Sequence, residues 1–201
     1  SWYKYMPEFG VKPIVITRQW ENKYGNILDY VAPTIKKTTI IEESINSTLI
    51  KAPYFPNIAN KILLKYGENK FKWCRRIISA YYEFFQFIFP CGPKIEIYKE
   101  ASEYLKYNKV DFILATGDPF ILFHYASKLG RKHNTPWIAD YRDPWSHDIS
   151  KQNKILNIWS TYYEKKIVKN ARFIVTVSDF INHQINSIIP NKNIHLIPNG
   201  Y

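Results

Sequence analysis

The chain has 201 residues, of which 46% are hydrophobic and 17% aromatic, so it can bury a core and does not have a disordered composition. No apolar run is long enough to span a membrane, and the two cysteines favour a reducing, cytoplasmic setting over a disulfide framework. We expect no secretory leader, although the sequence begins without Met, which leaves a trimmed segment open. The net charge of +11 leaves two explanations open, an anionic partner or a compositional bias toward Lys, Ile, Asn and Tyr.

The first half of the chain predicts two short strands and three helical regions. In chain order these are a helix end at 2–9, strands at 11–17 and 47–54, a helical region at 57–89 and an amphipathic helix at 95–107. Gly10 is expected to close the first helix, and Gly67 to interrupt the long helical region.

The second half alternates regularly between strands and helices. Strands are predicted at 111–116, 136–141, 172–178 and 193–199, with helices ending near Lys132, covering about 152–170 and covering 179–189. The apolar runs are continuous, which is typical of parallel strands covered on both faces. The pattern therefore predicts an α/β fold, a doubly wound and mainly parallel sheet with helices on both faces, as a single domain over 1–201.

Ligands bind such sheets beyond the carboxyl ends of the strands, where Thr116, Gly117, Asp118 and Pro119 form the first candidate site. Gly117 permits a tight turn, Asp118 suits the N-cap of the next helix, and Pro119 suits its first position. Amide groups at such a helix start favour an anionic or hydroxyl-rich ligand. An ordinary helix cap is the alternative.

Three ionisable residues, Asp140, Arg142 and Asp143, follow the next predicted strand. We expect Asp140 and Arg142 to project to opposite sides of an extended segment, and Pro144 to hold Asp143 extended. Such groups are costly at the edge of a sheet unless they pair or bind something. We predict that at least one of the three contacts substrate; a purely structural pair between Arg142 and one aspartate is the alternative.

Other kinds of catalytic site are not indicated. Ser146, His147 and Asp148 are consecutive, whereas the members of a catalytic triad meet from different loops. The five histidines lack metal-ligand spacing, so no metal is predicted. No Gly-rich dinucleotide or phosphate loop occurs, so no cofactor is predicted.

A basic and aromatic segment covers residues 61–89. Six basic residues and one acidic residue lie between Lys61 and Arg76, ahead of the sequence FFQFIF. A candidate membrane or anion-binding face consists of four cations, Lys70, Lys72, Arg75 and Arg76. For most of residues 70–89 we favour the alternative, a helix packed on the sheet with its cations at the rim.

Four short sequences occur in a characteristic order: ILATGDPF, PWIADYRDPW, ARFIVTVSDF and IHLIPNGY. With them the chain resembles the N-terminal Rossmann-like domain of retaining GT-B glycosyltransferases of family four, most of all the glycosyltransferase 4-like subgroup. The resemblance covers nearly the whole chain and is loosest at 20–70. It implies two Rossmann-like domains across a cleft, the first holding the acceptor and the second the nucleotide-sugar. Implied with it are metal-independent hexosyl transfer to a glycan or lipid-linked acceptor, and cell-surface polysaccharide synthesis.

The resemblance also implies that the first strand, its Gly-rich loop and the donor domain lie outside these 201 residues, so we expect the chain alone to be inactive. Relatives often carry a His near position 142, where this chain has Arg142. We expect Asp140 or Asp143 to orient or deprotonate the acceptor hydroxyl, and Arg142 to offset charge on the leaving diphosphate. The predicted substrate-binding set is Thr116, Gly117, Asp118, Pro119, Trp145, Ser178, Asn199 and Gly200.

A second hypothesis is a non-catalytic doubly wound module that binds an anionic ligand or nucleic acid through its Lys-rich face. Steeply salt-dependent binding to any DNA or RNA, without glycan binding, would distinguish it. We favour the enzyme and expect no nucleic-acid partner. The expected location is the cytoplasm, with peripheral attachment to the inner face of the plasma membrane.

Overall fold

The structure is a computed structural model that describes residues 2–20, 25–146 and 154–198. The chain forms two compact units, residues 1–106 and 107–201. The expectation of one Rossmann-like domain over 1–201 stays a prediction.

The first unit contains a three-stranded sheet and five α-helices among its described residues. The strands are β1 (Ile14–Arg18), β2 (Ile40–Ser44) and β3 (Ser47–Ala52), and the helices are α1 (Trp2–Tyr5), α2 (Ile27–Val31), α3 (Ile58–Tyr66), α4 (Lys72–Phe85) and α5 (Ile95–Tyr107). The strand order is β1-β3-β2, with β1 parallel and β2 antiparallel to β3. The sequence pattern predicts neither α2 nor β2.

Two glycines end helical segments as expected. A 3-10 turn at Met6–Phe9 follows α1 and is closed by Gly10, which has a φ of 74°. Gly67 has a φ of 76°, and its amide donates to the carbonyl of Leu63 at 2.8 Å. Glycine adopts positive φ without steric cost, so both helical segments end where the sequence has a glycine.

The helical region at 57–89 is divided into two helices, and the second does not pack on a sheet as expected. Its first part, α3, buries Ala59 and Leu63. None of the residues of α4, all of which the structure describes, is buried, and its main packing partner is α3. The expectation that this segment packs on a sheet is therefore wrong for α4.

A buried arginine organises the carboxyl end of β1. Arg18 is 8% exposed, and its guanidinium lies 3.5 Å from the ring centre of Tyr54. Its nitrogens donate to the backbone carbonyls of Tyr30 and Ala32. The cation thus attaches the α2 region to the end of the strand, because a buried guanidinium needs acceptors for its N–H groups.

The second unit is an all-parallel sheet flanked by helices. The strands are β4 (Ile113–Gly117), β5 (Trp137–Tyr141), β6 (Phe173–Thr176) and β7 (Ile194–Leu196), in that order across the sheet; the helices are α6 (Ile121–His133), α7 (Lys154–Val168) and α8 (Asp179–Ile188). Every residue of β5 is buried, which explains its continuous apolar run. The prediction of an α/β, Rossmann-like fold is confirmed.

Aromatic packing builds the core of the second unit. Phe123 and Tyr141 are fully buried, with ring centres 4.9 Å apart. Phe120 and Trp145 stack 5.0 Å apart with an angle of 3° between their planes. Since Phe120 precedes α6 and Trp145 follows β5, this stack joins the two loops at the carboxyl end of the sheet.

Candidate functional site

The ends of three strands define one edge of the parallel sheet. Gly117, the last residue of β4, pairs with Tyr141, and Tyr141 pairs with Thr176. Because the strands are parallel, the residues that follow them leave the sheet along this edge, where open α/β sheets bind ligands. The structure thus brings residues 118–119, 142–145 and 177–178, among which are several predicted site residues, to the same edge of the sheet.

Asp140 lies inside this edge. Its side chain is 1% exposed, and its Oδ2 accepts hydrogen bonds from Thr116 Oγ1 at 3.1 Å and from Arg142 Nε at 3.0 Å. Its other oxygen, Oδ1, is buried without a hydrogen-bond partner among the described residues. A buried carboxylate oxygen that accepts no hydrogen bond is unfavourable. The hydrogen-bonding capacity of Asp140 is therefore only partly used.

The pair of Asp140 and Arg142 corrects one expectation. We expected the two side chains on opposite sides of the segment, but residues two apart in an extended chain face the same side. Arg142 accordingly turns back onto Asp140. The structural pair that was considered as an alternative therefore exists.

The three ionisable residues differ in how far solvent reaches them. The side chain of Arg142 is 25% exposed, whereas that of Asp140 is 1% exposed. Asp143 is exposed and stands next to Pro144. Asp143 is therefore the carboxylate of this set that solvent reaches, whereas Asp140 is enclosed and paired with Arg142.

The turn after β4 also differs from its predicted geometry. The helix N-cap is Phe120, not Asp118, and α6 begins at Ile121, so Pro119 lies outside the helix. Asp118 is exposed, and the amide of Leu122 donates to the carbonyl of Pro119 at 3.1 Å. The predicted N-cap role of Asp118 and first helical position of Pro119 are wrong, because a turn precedes the helix and uses its first amides.

Gly117 is required for packing against Phe120. Its φ is not positive, but a Cβ atom at this position would lie 2.5 Å from Cε1 of the Phe120 ring. No side chain fits there without movement of the ring. Gly117 is thus needed for the close approach of the stacked aromatic pair to the end of β4.

The other predicted substrate-binding residues occupy mixed positions. Trp145 is 4% exposed and stacks on Phe120. Ser178 is the N-cap of α8, and its hydroxyl accepts from the amide of Ile181 at 3.4 Å. Asn199 and Gly200 lie outside the described residues. A substrate contact by any of these residues stays a prediction.

Glu164 is a buried residue of this region that sequence reasoning missed. The Tyr141 hydroxyl donates to its Oε1 at 2.9 Å, and the Ser146 amide donates to its Oε2 at 3.1 Å. Burial, together with the Glu164 carboxylate, raises the pKa of Tyr141 well above its ordinary value of 10. The helical spacing of the buried residues Ser160, Glu164, Ile167 and Val168 was the available signal.

The predicted anion-binding cations lie at the start of α4. Lys70, Lys72 and Arg76 are exposed, and Arg75 is half-buried with its guanidinium donating to the carbonyl of Glu68. In the part of the chain that the structure describes, no three His, Cys, Asp or Glu residues are close enough together to hold a metal ion.

Comparison with known families gives one match. The family model for Glycosyltransferase Family 4 matches residues 63–201, which include the whole parallel sheet and the edge with Asp140, Arg142 and Asp143. No curated protein matches the chain. The family match covers more than half of the residues and agrees with the α/β architecture. The chain therefore belongs to glycosyltransferase family 4, with the general role of a glycosyltransferase domain and with sugar donors and acceptors as its partners.

Proposed function

We propose that the chain is the acceptor-side domain of a retaining GT-B enzyme that transfers a hexosyl group from a nucleotide-sugar to a glycan or lipid-linked acceptor. The product would belong to a cell-surface polysaccharide. The observation that carries the proposal is the Asp140–Arg142 pair, followed by the exposed Asp143, at the carboxyl edge of the sheet. The nucleotide-sugar is a substrate, and we assign no metal or further cofactor to the step.

Arg142 supplies positive charge where the leaving group becomes negative. In sugar transfer from a nucleotide-sugar, negative charge builds up on the diphosphate as its bond to the sugar breaks. A guanidinium fixed before the reaction stabilises that charge without reorganisation. The 3.0 Å bond from Nε to Asp140 fixes Arg142, while a quarter of its side chain remains exposed. Asp140 is therefore a positioning residue in this proposal.

Asp143 acts on the acceptor. Its carboxylate accepts the hydrogen bond of the attacking hydroxyl, orients it and takes up its proton as the new bond forms. Exposure of Asp143 and the restriction that Pro144 places on its backbone suit this role. Asp140, at 1% exposure, is enclosed by the sheet and does not offer its carboxylate in the same way.

The test is steady-state transfer by the full-length protein with Asp143→Asn and Arg142→Gln. We expect Asp143→Asn to lower kcat by about 10²–10⁴-fold, the usual contribution of general acid–base assistance. Its free energy of unfolding should change by no more than about 0.5 kcal/mol, as is usual for exposed positions. The matched controls Asp111→Asn and Arg172→Gln, exposed near the amino ends of β4 and β6, should leave kcat unchanged.

Coupling between the pair separates positioning from folding. If Asp140 acts through Arg142, Asp140→Asn should lower kcat in the wild-type background and have little further effect once Arg142 is Gln. Near-normal turnover by both Asp143→Asn and Arg142→Gln would show that this edge is not the transfer site.

We also assign the chain to the cytoplasm. Cys74 and Cys91 are both free thiols, which suits a reducing compartment. Recovery of the native protein from an oxidising compartment in cell fractionation would contradict this assignment.

A further inference from the structure

We infer that Glu164 is a positioning residue for sugar transfer, because its buried carboxylate holds the loop that carries Arg142 and Asp143. This loop, residues 142–146, is here called the β5 loop, and it begins where β5 ends. Glu164 itself lies on α7, 18 residues after the end of the loop. The inference rests on the proposed function, since it explains how the two side chains named there keep their places.

Both ends of the β5 loop bond to the same carboxylate. The hydroxyl of Tyr141, the last residue of β5, donates to Glu164 Oε1 at 2.9 Å. At the other end of the loop, the Ser146 amide donates to Glu164 Oε2 at 3.1 Å. Because the two oxygens of a carboxylate have a fixed separation, these bonds hold the two ends of the loop at one distance from each other.

Burial makes the two bonds hard to replace. Glu164 is 1% exposed and Ser146 3% exposed, so water does not compete for the donors. Hydrogen bonds to an ionised acceptor are stronger than those between neutral groups, and more so where water is excluded. Without the carboxylate the Ser146 amide would be a buried donor that lacks its acceptor, and the loop would have to move to satisfy it.

Aromatic packing restrains the loop between its ends. Trp145 is 4% exposed and stacks on Phe120, with 5.0 Å between the ring centres. Pro144 restricts the backbone of Asp143 before it. The β5 loop therefore has one well-defined path, on which Asp143 is exposed and the side chain of Arg142 is 25% exposed.

A fixed loop matters for the reaction because a misplacement of about 1 Å can lower a rate by about 10²-fold. Arg142 has a restraint of its own, the 3.0 Å bond from its Nε to Asp140. The place of Asp143 depends on the path of the loop, so we expect Asp143 to rely on Glu164 more than Arg142 does.

Hydrogen exchange of the full-length protein, followed by mass spectrometry, tests the effect on the loop. Glu164→Leu keeps the approximate size of the side chain and removes both acceptor oxygens. The peptide that contains Ser146 should exchange about tenfold faster or more, the factor that matches the loss of a hydrogen bond to a charged group. The control Val168→Ala, at a fully buried position of the same helix, should leave that peptide unchanged. Unchanged exchange in Glu164→Leu would overturn the inference.

Steady-state transfer by the full-length protein tests the effect on the reaction. With the nucleotide-sugar and acceptor that give the fastest wild-type turnover, Glu164→Leu should lower kcat by about 10²-fold and change KM by less than about threefold. Val168→Ala removes buried methyl groups and also costs stability, but it should keep kcat. Equal kcat values for Glu164→Leu and Val168→Ala would show that Glu164 has a purely structural role.

Two further variants at the same position grade the effect. Glu164→Gln should retain more of the wild-type kcat than Glu164→Leu, because its amide oxygen can still accept from the Ser146 amide. Glu164→Asp keeps the charge but sets it back by the length of a methylene group, so it cannot bond both donors. If Glu164→Leu does not fold, Glu164→Asp takes its place in both measurements, with smaller changes in the same directions.

A double-mutant cycle separates this inference from the proposed reaction. If Glu164 acts through Asp143, Glu164→Leu should have little further effect on kcat once Asp143 is Asn. Fully additive losses would overturn the inference and leave the proposed function intact. Near-normal turnover by both Asp143→Asn and Arg142→Gln would instead overturn the proposed function, and the positioning role with it.

Discussion

At the scale of single residues, Tyr141 and Glu164 show how the sheet is attached to a helix. Tyr141 is fully buried in β5, Glu164 is 1% exposed in α7, and the hydroxyl of the first donates to the carboxylate of the second. The same carboxylate receives the Ser146 amide. One buried charge therefore links a strand, a loop and a helix, and removal of either donor takes a hydrogen bond away from a buried carboxylate.

We predict that Tyr141→Phe lowers the free energy of unfolding by about 1.5–3 kcal/mol, the usual contribution of a hydrogen bond to a charged group. Urea unfolding followed by circular dichroism measures the change. Tyr162→Phe is the control, since Tyr162 is 57% exposed and its change should be near zero. Equal stability of wild type and Tyr141→Phe would mean that the buried hydrogen bond contributes nothing.

The raised pKa of Tyr141 adds a prediction about pH. Its folded pKa lies above the unfolded value of 10, so the stabilising contribution is complete below pH 10 and is lost as pH rises toward the folded pKa. Above pH 10 the wild type should lose about 1.4 kcal/mol per pH unit more than Tyr141→Phe. Parallel stability curves for the two proteins in this range would contradict the shift.

At the scale of elements, sequence patterns predicted the long and regular segments. The helix α5 occupies its predicted residues because it has a clear helical period. The strand β5 lies within its predicted range because its apolar run is short and is bounded by Pro136 and by the polar residues after Tyr141. The edge strand β2 has one half-buried residue and four exposed ones, so it lacks a buried face for a pattern to follow. The five-residue α2 is too short for a period; its capping box of Asn26 and Asp29 was the available signal.

The candidate site could be predicted in position but not in detail. Parallel strands place their ends at one edge, so the segments after β4 and β5 followed from the order of elements. The contact of Arg142 with Asp140 depends on both side chains lying on the same side of the extended segment, whereas we expected opposite sides. The N-cap at Phe120 was missed because aromatic packing, a tertiary effect, moved the helix start past the local capping signal at Asp118.

Gly117 carries a prediction at this scale. Gly117→Ala should lower the free energy of unfolding by about 1–3 kcal/mol, because its Cβ would overlap the Phe120 ring and force it to move. Thermal or urea unfolding measures the loss. The control is Gly25→Ala, whose Cβ would meet Asp29 Oδ2 at an ordinary 3.6 Å. A stable Gly117→Ala variant would mean that the ring moves aside without cost.

At the scale of the whole molecule, the proposed division of labour separates acceptor binding from donor binding. At the carboxyl edge, Asp143 offers an exposed carboxylate and Arg142 a fixed guanidinium for the reaction. Recognition of the nucleotide and its sugar is assigned to another domain. The 201 residues therefore correspond to one side of a two-sided reaction in this proposal.

We predict that the purified 201-residue chain neither transfers sugar to an acceptor nor hydrolyses nucleotide-sugars. Product formation from a panel of radiolabelled nucleotide-sugars is the measurement, and the full-length protein is the positive control. Turnover of any donor by the chain alone, at a rate above that of an Arg142→Gln variant, would refute the proposed division.

The strand order of the second unit has a consequence for how the protein is made. Each strand after β4 pairs with the strand before it in the chain: Ile113 with Trp137, Ile138 with Phe173, and Ile174 with Ile194. Pairings between successive segments keep the sequence separation of contacts smaller than pairings that skip a strand would, and a smaller separation favours faster folding. During synthesis each new strand can join a sheet edge already formed by residues that left the ribosome earlier. In the first unit β1 cannot pair until β3 has been synthesised, because β2, which lies between them in the chain, pairs with the opposite side of β3.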